Sequence, residues 1–305
     1  MTPRTAAALT ALALAPALAL APTGATAASF PETVPLPDAS SPEGIAAGPG
    51  TTFFAGSRAD GSVYRADART GQGAPLVEGT PGGVAVGLTY DQASGLLWVA
   101  GGATGTVTAY DGRTGELVVQ YTAPPAASGA RFLNDVVVTR DGVFVTDSSN
   151  AELVVVRTDG RALPDDVALL PLTGDWSQGP GFNANGIREL PGGDLLVVDQ
   201  GTLLRVDPST GVAELLEQTG GPDLTAGDGL ELRGSTLYVV YGLSRDSIAV
   251  VDLGRSSYAV TGEITDPDFE RPTTTAFIAG ALYSVNGKFD TPGATEFEVV
   301  RSATR

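Results

Sequence analysis

The chain has 305 residues and a formal net charge of −17, and it contains neither cysteine nor histidine. Without cysteine it forms no disulfides, and without histidine it has no Ser-His-Asp triad, no histidine-ligated zinc and no imidazole base. The acidic balance disfavours nucleic acid and anionic membranes as partners and suits cations. Any catalysis must therefore use carboxylates, amides, hydroxyls, arginine or a hard metal held by oxygen.

Residues 1–27 have the pattern of a secretory signal peptide. Arg4 precedes an Ala/Leu-rich run over 6–21, and Ala25-Thr26-Ala27 forms an A-x-A cleavage site. The run is too short and too rich in alanine for a membrane-spanning helix. Cleavage changes the net charge from −17 to −18, because it removes Arg4 and no acidic residue. We expect a secreted, extracellular protein whose mature part, 28–305, is a single domain without a lipid-anchored cysteine.

A repeat of nearly constant length fills the mature chain. Each unit begins with a head residue, followed by an apolar run, a turn with Gly or Asp-Gly, and a second apolar run. Successive heads are 43 to 51 residues apart. The six heads are Glu43, Gly87, Asn134, Asn185, Asp228 and Thr275.

Further strand-like runs complete the units. The predicted third strands span 62–67, 106–111, 152–157, 203–207 and 247–252, and the fourth strands span 116–122, 166–172, 212–217 and 257–263. Four short antiparallel strands at this period, with turns rich in Gly and Pro, are typical of a propeller blade. The sequence predicts an all-β fold, a six-bladed β-propeller with four antiparallel strands per blade.

The last unit lacks an outer strand, because the chain ends soon after 296–301. The N-terminal segment 32–37 can take that place, and we expect it to close the ring and protect the open sheet edges.

The Asn185-Gly186 pair indicates that some heads do more than make turns. An Asn-Gly hairpin turn requires a strand on each side, whereas the segment upstream, 173–182, is not predicted to be a strand. In a propeller, the residues just before successive inner strands converge on the central channel. Glu43, Asn134, Asn185 and Asp228 thus predict an oxygen cage of formal charge −2, which suits Ca²⁺ or another divalent cation. The alternative is that each is only a turn residue.

The heads resemble those of the six-bladed propellers of the senescence-marker-protein/gluconolactonase group, which includes regucalcin-like lactonases and diisopropyl fluorophosphatase. The matching motifs are Pro42–Gly44, Asn134-Asp135, Asn185-Gly186 and Asp228-Gly229. The resemblance implies a single divalent metal held by these four heads. An arginine that often stands two residues before the third-unit Asn in the family is here Arg131, three residues before it, and unit six supplies no ligand.

Other residues are candidates for substrate contacts. Arg58 and Arg245 follow second strands and could meet an anionic group, unless they are simply solvated. Asp147 and Asp199 end second strands, where we favour a role in closing blade turns. Trp98 is predicted to lie in the core. The candidate substrate-binding residues are Arg58, Arg131, Asp147, Trp176, Phe182, Asp199 and Arg245.

The predicted activity is metal-assisted hydrolysis of a small ester, with a sugar lactone favoured. Calcium lowers the pKa of water less than zinc does, so a carboxylate is needed, and Asp228 is the candidate general base or nucleophile. We expect a monomer with a small-molecule substrate. The alternatives are a non-catalytic extracellular binding propeller with a structural cation, and a strictosidine-synthase-like or phosphotriesterase-like relative, because fold alone does not fix chemistry.

Overall fold

The protein folds as an all-β, six-bladed β-propeller, as the sequence predicts. The structure, a computed structural model, describes residues 1–3, 30–158, 162–242 and 244–304. These residues form six sheets of four or five strands and no α-helix. The predicted signal peptide lies outside the described residues apart from 1–3. Within the described ranges, no helical segment has the length and apolar character needed to span a bilayer.

The first three blades each contain four antiparallel strands, ordered along the sheet as they occur in the chain. Blade one consists of β2 (Pro42–Ala47), β3 (Thr52–Ser57), β4 (Val63–Asp67) and β5 (Gln72–Val77). Blade two consists of β6 (Leu88–Tyr90), β7 (Leu96–Ala100), β8 (Thr106–Asp111) and β9 (Leu117–Thr122). Blade three consists of β10 (Leu133–Thr139), β11 (Gly142–Asp147), β12 (Glu152–Val156) and β13 (Ala168–Pro171).

Blades four and five each carry an additional short strand at the outer edge. Blade four consists of β14 (Thr173–Gly174), β15 (Ala184–Glu189), β16 (Leu195–Asp199), β17 (Thr202–Val206) and β18 (Val212–Leu215). Blade five consists of β19 (Glu217–Gly220), β20 (Leu230–Arg233), β21 (Thr236–Val240), β22 (Ser247–Leu253) and β23 (Ser257–Thr265). The last blade contains β24 (Pro272–Ile278), β25 (Ala281–Asn286) and β26 (Glu298–Ser302).

The N-terminal strand β1 (Thr33–Pro35) closes the ring, as predicted. It pairs antiparallel with β26, with Val34 opposite Val299. The backbone N–H of Leu36 extends this pairing by donating to the carbonyl oxygen of Phe297 at 2.8 Å. The first and last parts of the described chain therefore share one sheet, and the outer edge of the last blade is covered.

Burial explains why the strands in the middle of a blade are more apolar than those at its outer edge. All six residues of β11 are buried, whereas β5, at the outer edge of its blade, is mostly exposed. Among the described residues, six hydrophobic clusters each join two neighbouring blades, and one of them joins blade six to blade one. The core thus lies between blades, and Trp98 lies in it, as expected.

The outer edges of two blades differ from the predicted four antiparallel strands. β14 pairs parallel with β18, and β19 pairs parallel with β23. The prediction that 173–182 contains no strand is therefore wrong at Thr173 and Gly174. The chain that leaves one blade runs along the outer edge of the next before it turns inward, and this pairing is too short to leave a periodic pattern in the sequence.

Two of the six predicted heads need correction. A register shift follows the first pair of four inner strands, at Pro42↔Ser57, Leu133↔Asp147, Ala184↔Asp199 and Pro272↔Asn286. The next residue is Glu43, Asn134 or Asn185 in the first three cases, and Thr273 rather than Thr275 in blade six. In blade two, the backbone N–H of Val86 donates to the carbonyl oxygen of Ala100. The backbone N–H of the head Asp228 donates to the carbonyl oxygen of Val240 in the same way, so Val86 rather than Gly87 is the head of unit two.

Candidate functional site

The four predicted ligand residues line a single cavity. Glu43, Asn134, Asn185 and Asp228 come from four different blades and surround a space of about 580 Å³. The other two heads, Val86 and Thr273, supply no carboxylate or amide. The structure therefore brings together the residues from the four units that the sequence singled out.

Hydrogen bonds behind the cavity fix the orientation of these heads. The hydroxyl of Ser148 donates to the Ala184 carbonyl oxygen at 2.6 Å, so its own oxygen accepts from Nδ2 of Asn134 at 3.0 Å. No hydrogen bond among the described residues uses Oδ1 of Asn134. The amide oxygen is thus the atom left for a ligand. The Thr273 hydroxyl donates to the backbone oxygen of Glu43 at 2.5 Å and links the last blade to the first.

Small residues allow the heads to approach the axis. A Cβ at Gly186 would lie 2.5 Å from the backbone oxygen of Asp228, so only glycine permits this contact between blades four and five. The Asn-Gly pair is therefore needed for packing around the channel and not for a hairpin turn.

The two carboxylates are placed where ionisation is unfavourable. Burial raises the pKa of Asp228 to about 7, although a hydrogen bond from the Asn185 side chain opposes the rise. Burial also raises the pKa of Glu43 well above its usual value, and repulsion from Asp228 adds to this, while Arg58 opposes it. Both groups would gain from a nearby positive charge.

A hard divalent cation fits this donor set. Within 30–158, 162–242 and 244–304, neither Glu43 nor Asp228 forms an ion pair. The described residues contain no cluster of three or more Asp or Glu suited to a metal, and this cage combines two carboxylates, Glu43 and Asp228, with the amides of Asn134 and Asn185. Carboxylate and amide oxygens together are typical ligands of Ca²⁺.

Arg58 is the one predicted arginine that lines the cavity. Its guanidinium stacks on the ring of Phe289 at 4.3 Å, and Nη2 donates to Oγ of Ser41 at 3.1 Å. The Nε–H group is buried and has no hydrogen-bond acceptor among the described residues. Arg58 therefore brings a positive charge close to the two carboxylates, while its Nε–H is covered by the protein.

Aromatic side chains make up much of the remaining lining. Phe182, one of the predicted residues, is 58% exposed and contacts Phe132 edge to face, with 4.8 Å between ring centroids. Sequence reasoning missed Phe132 and Phe289. Phe289 follows the second strand of its unit, as Arg58 does, and the rule that singled out Arg58 would have found it if aromatic residues had been included.

Arg131 and Asp147 do not line the cavity. They form a buried ion pair, with 2.6 Å between Nη1 and Oδ2, and Arg131 also binds Glu152 at 2.7 Å. Asp147 Oδ1 accepts the backbone N–H of Phe132 at 3.1 Å. This network holds the segment that leads into Asn134, so it positions the site from behind.

Trp176, Asp199 and Arg245 also lie outside the cavity lining. Trp176 packs against the cluster between blades three and four, and Arg245 stacks on the ring of Tyr241 at 4.5 Å. Asp199 is buried, its Oδ1 has no hydrogen-bond partner among the described residues, and burial raises its pKa to about 6. None of the three is placed to contact a ligand in the cavity.

Comparison with known proteins supports the fold. No family model and no curated protein sequence matches the chain. Solved structures do resemble it. The major allergen of Malassezia sympodialis, Mala s 1, matches at 13% identity with a TM-score of 0.68, over 90% of this chain and 96% of that one. A gluconolactonase of Xanthomonas campestris matches at 17% identity with a TM-score of 0.61, over 92% and 93%.

A third similar structure carries different chemistry again. The PQQ-bound aldose sugar dehydrogenase of Streptomyces coelicolor matches at 15% identity with a TM-score of 0.57, over 91% of this chain and 97% of that one. An allergen, a hydrolase and a dehydrogenase thus share this architecture. At these identities the likeness defines a class of fold, and the function has to be argued from the site.

Proposed function

We propose that this protein is an exported, calcium-dependent hydrolase of a small cyclic ester, a lactone. The observation that carries the proposal is the convergence of Glu43, Asn134, Asn185 and Asp228 on one cavity. The signal-peptide pattern of residues 1–27 supports export, and the similarity to a gluconolactonase agrees with the reaction class.

The four heads would hold the cation through their side-chain oxygens. Calcium bound there would polarise the ester carbonyl and stabilise the negative charge that develops on its oxygen. Asn134 and Asn185 supply neutral oxygens, so the cage carries only two negative charges. The bound cation would therefore keep enough positive charge to polarise the carbonyl.

The chain's own groups would move the proton. A carboxylate oxygen of Asp228 accepts a proton from the attacking water as the new C–O bond forms. The ester C–O bond then breaks, and the same proton passes to the leaving alkoxide, which gives a hydroxy acid. The guanidinium of Arg58, which lines the cavity, would add a positive charge near the oxygens of the substrate and of the carboxylate product.

The test is hydrolysis of a panel of lactones and aryl phosphotriesters with added calcium and, separately, with a chelator. We expect lactone hydrolysis that requires calcium. Calcium should also raise the melting temperature, because only the folded ring brings the four ligands together. Identical melting curves with calcium and with chelator would count against the cation site.

One result would contradict the hydrolase and still support the cation site. If calcium stabilises the protein and no ester in the panel is hydrolysed above the buffer rate, the cation is structural and the propeller is a binding module.

A further inference from the structure

We infer that the cavity selects a lactone with an apolar, aromatic body over a polyhydroxylated sugar lactone. The inference rests on the proposed function, and it concerns the part of the substrate that does not react. The sequence favours a sugar lactone, and the inference differs from that prediction in the body of the lactone, which it matches to the lining of the cavity.

The first observation is a paired aromatic surface. Phe132 and Phe182 meet edge to face, with 4.8 Å between centroids and 78° between ring planes. Phe182 is 58% exposed, and together with Phe132 it presents an apolar surface to the cavity. Covering such a ring with an apolar ligand is favourable, and aromatic contacts add to this.

The second observation is a further aromatic ring beside the charged groups. Phe289 lines the same cavity and carries the guanidinium of Arg58 on its face. This stacking leaves the guanidinium plane held in place beside Glu43 and Asp228. A substrate can therefore present one polar ester group to this region while its body lies on Phe132 and Phe182.

The third observation is that the N–H groups of the two amides that line the cavity beside Phe182 are already hydrogen-bonded. Nδ2 of Asn183 donates to the backbone oxygens of Gly179 and Gly181, at 3.1 and 2.9 Å, and its Oδ1 accepts the N–H of Gly179 at 2.6 Å. Nε2 of Gln200 donates to the backbone oxygens of Pro180 and Phe182, both at 3.1 Å.

These bonds have two consequences. They order the loop that carries Phe182, so the aromatic surface is formed before a ligand arrives. They also leave neither of these amides with an N–H group to donate to a sugar hydroxyl, and a hydroxyl that is buried without a partner costs about 1–3 kcal/mol. A polyol ring would lose several such bonds, and a fused benzene ring would lose none.

Binding is tested first, with lactam analogues that are not hydrolysed. Calorimetry in calcium compares dihydroquinolinone with the lactam analogue of glucono-δ-lactone. We expect the aromatic lactam to bind at least tenfold more tightly, a difference of ~1.4 kcal/mol. Equal or tighter binding of the sugar lactam would overturn the inference.

Turnover is tested with the two corresponding lactones. We expect kcat/KM for dihydrocoumarin to exceed that for glucono-δ-lactone, after correction for the uncatalysed rates. Phe182→Ala should lower kcat/KM for dihydrocoumarin about tenfold and leave glucono-δ-lactone within about twofold. The control is Leu117→Ala, since Leu117 is an exposed apolar residue on β9 outside the cavity and its removal should change neither value.

The outcomes separate this inference from the proposed function. A preference for the aromatic lactam without any turnover supports the inference and removes the hydrolase. Turnover with a preference for the sugar lactone keeps the hydrolase and overturns the inference. Equal losses on both lactones in Phe182→Ala would also overturn it, because the ring would then have a merely structural role.

Discussion

Gly242 lies directly against the carboxylate of Asp228. A Cβ at Gly242 would be 2.5 Å from Oδ2 of Asp228, and the backbone there has a positive φ of 52°. Two separate constraints, conformation and space, therefore require glycine at this position, and the second one concerns the cation cage itself.

This contact predicts different effects for two glycine substitutions. Gly242→Ala should move the Asp228 carboxylate and abolish most of the calcium-dependent rise in melting temperature. The matched control is Gly234→Ala, because Gly234 also has a positive φ, 63°, but has open space around it. Both should lose ~1–2 kcal/mol from backbone strain, whereas only the first should lose the response to calcium. Equal calcium responses in the two variants would contradict the idea that Gly242 keeps the Asp228 carboxylate in position for the cation.

The roles of the two carboxylates can be separated by amide substitutions. Asp228→Asn keeps an oxygen ligand and removes the proton acceptor, so lactone hydrolysis should fall by roughly 10²-fold or more while calcium still stabilises the protein. Glu43→Gln should weaken calcium binding first, with activity partly recovered at high calcium. The two variants are compared by measuring the rate of lactone hydrolysis and the melting temperature of each across a calcium titration. Full activity in Asp228→Asn would remove this residue as the base.

Closure of the ring by β1 should be measurable. Val34 is fully buried in the cluster that joins blades one and six, whereas its neighbour Thr33 is exposed. Val34→Ala should lower the free energy of unfolding by roughly 2 kcal/mol, and Thr33→Ala should change it little. Deletion of residues 28–38 should lower the melting temperature further, because it exposes the edge of β26. An unchanged melting temperature after the deletion would contradict closure by this strand.

The buried aspartate Asp199 predicts a pH dependence. Its pKa is raised by burial from the usual 3.8 to about 6, so between about pH 4 and pH 6 the unfolded chain releases this proton and the folded protein keeps it. The contribution of Asp199 to stability is therefore full below pH 4 and is lost as the pH rises through 6.

Asp199→Asn should accordingly gain stability relative to the unsubstituted protein at pH 7.5 and little at pH 4. Melting temperatures across this range would measure the difference. Asp38→Asn, at an exposed aspartate, is the control and should follow the unsubstituted protein throughout. A constant difference between Asp199→Asn and the unsubstituted protein at all pH values would contradict the assignment.

The sequence by itself determined the architecture and the chemistry of the candidate cage. Strand patterns and turns are local, and their repetition at a nearly constant spacing allows few folds other than a six-bladed ring, including its closure by the N-terminal strand. Glu43, Asn134, Asn185 and Asp228 stood out because they are polar at a position where the other units have apolar or small residues.

Only the tertiary structure decided what surrounds that cage. The heads of units two and six are Val86 and Thr273, because a register shift and the close approach of neighbouring blades set the position, and neither is visible within one unit. Arg131 forms an ion pair with Asp147 instead of facing the cavity, since burial makes an unpaired charge too costly there. Likewise, Phe132 and Phe182 lie in the connections that lead into blades three and four, and Phe289 lies in a loop within blade six, so only the closed ring brings them to one cavity.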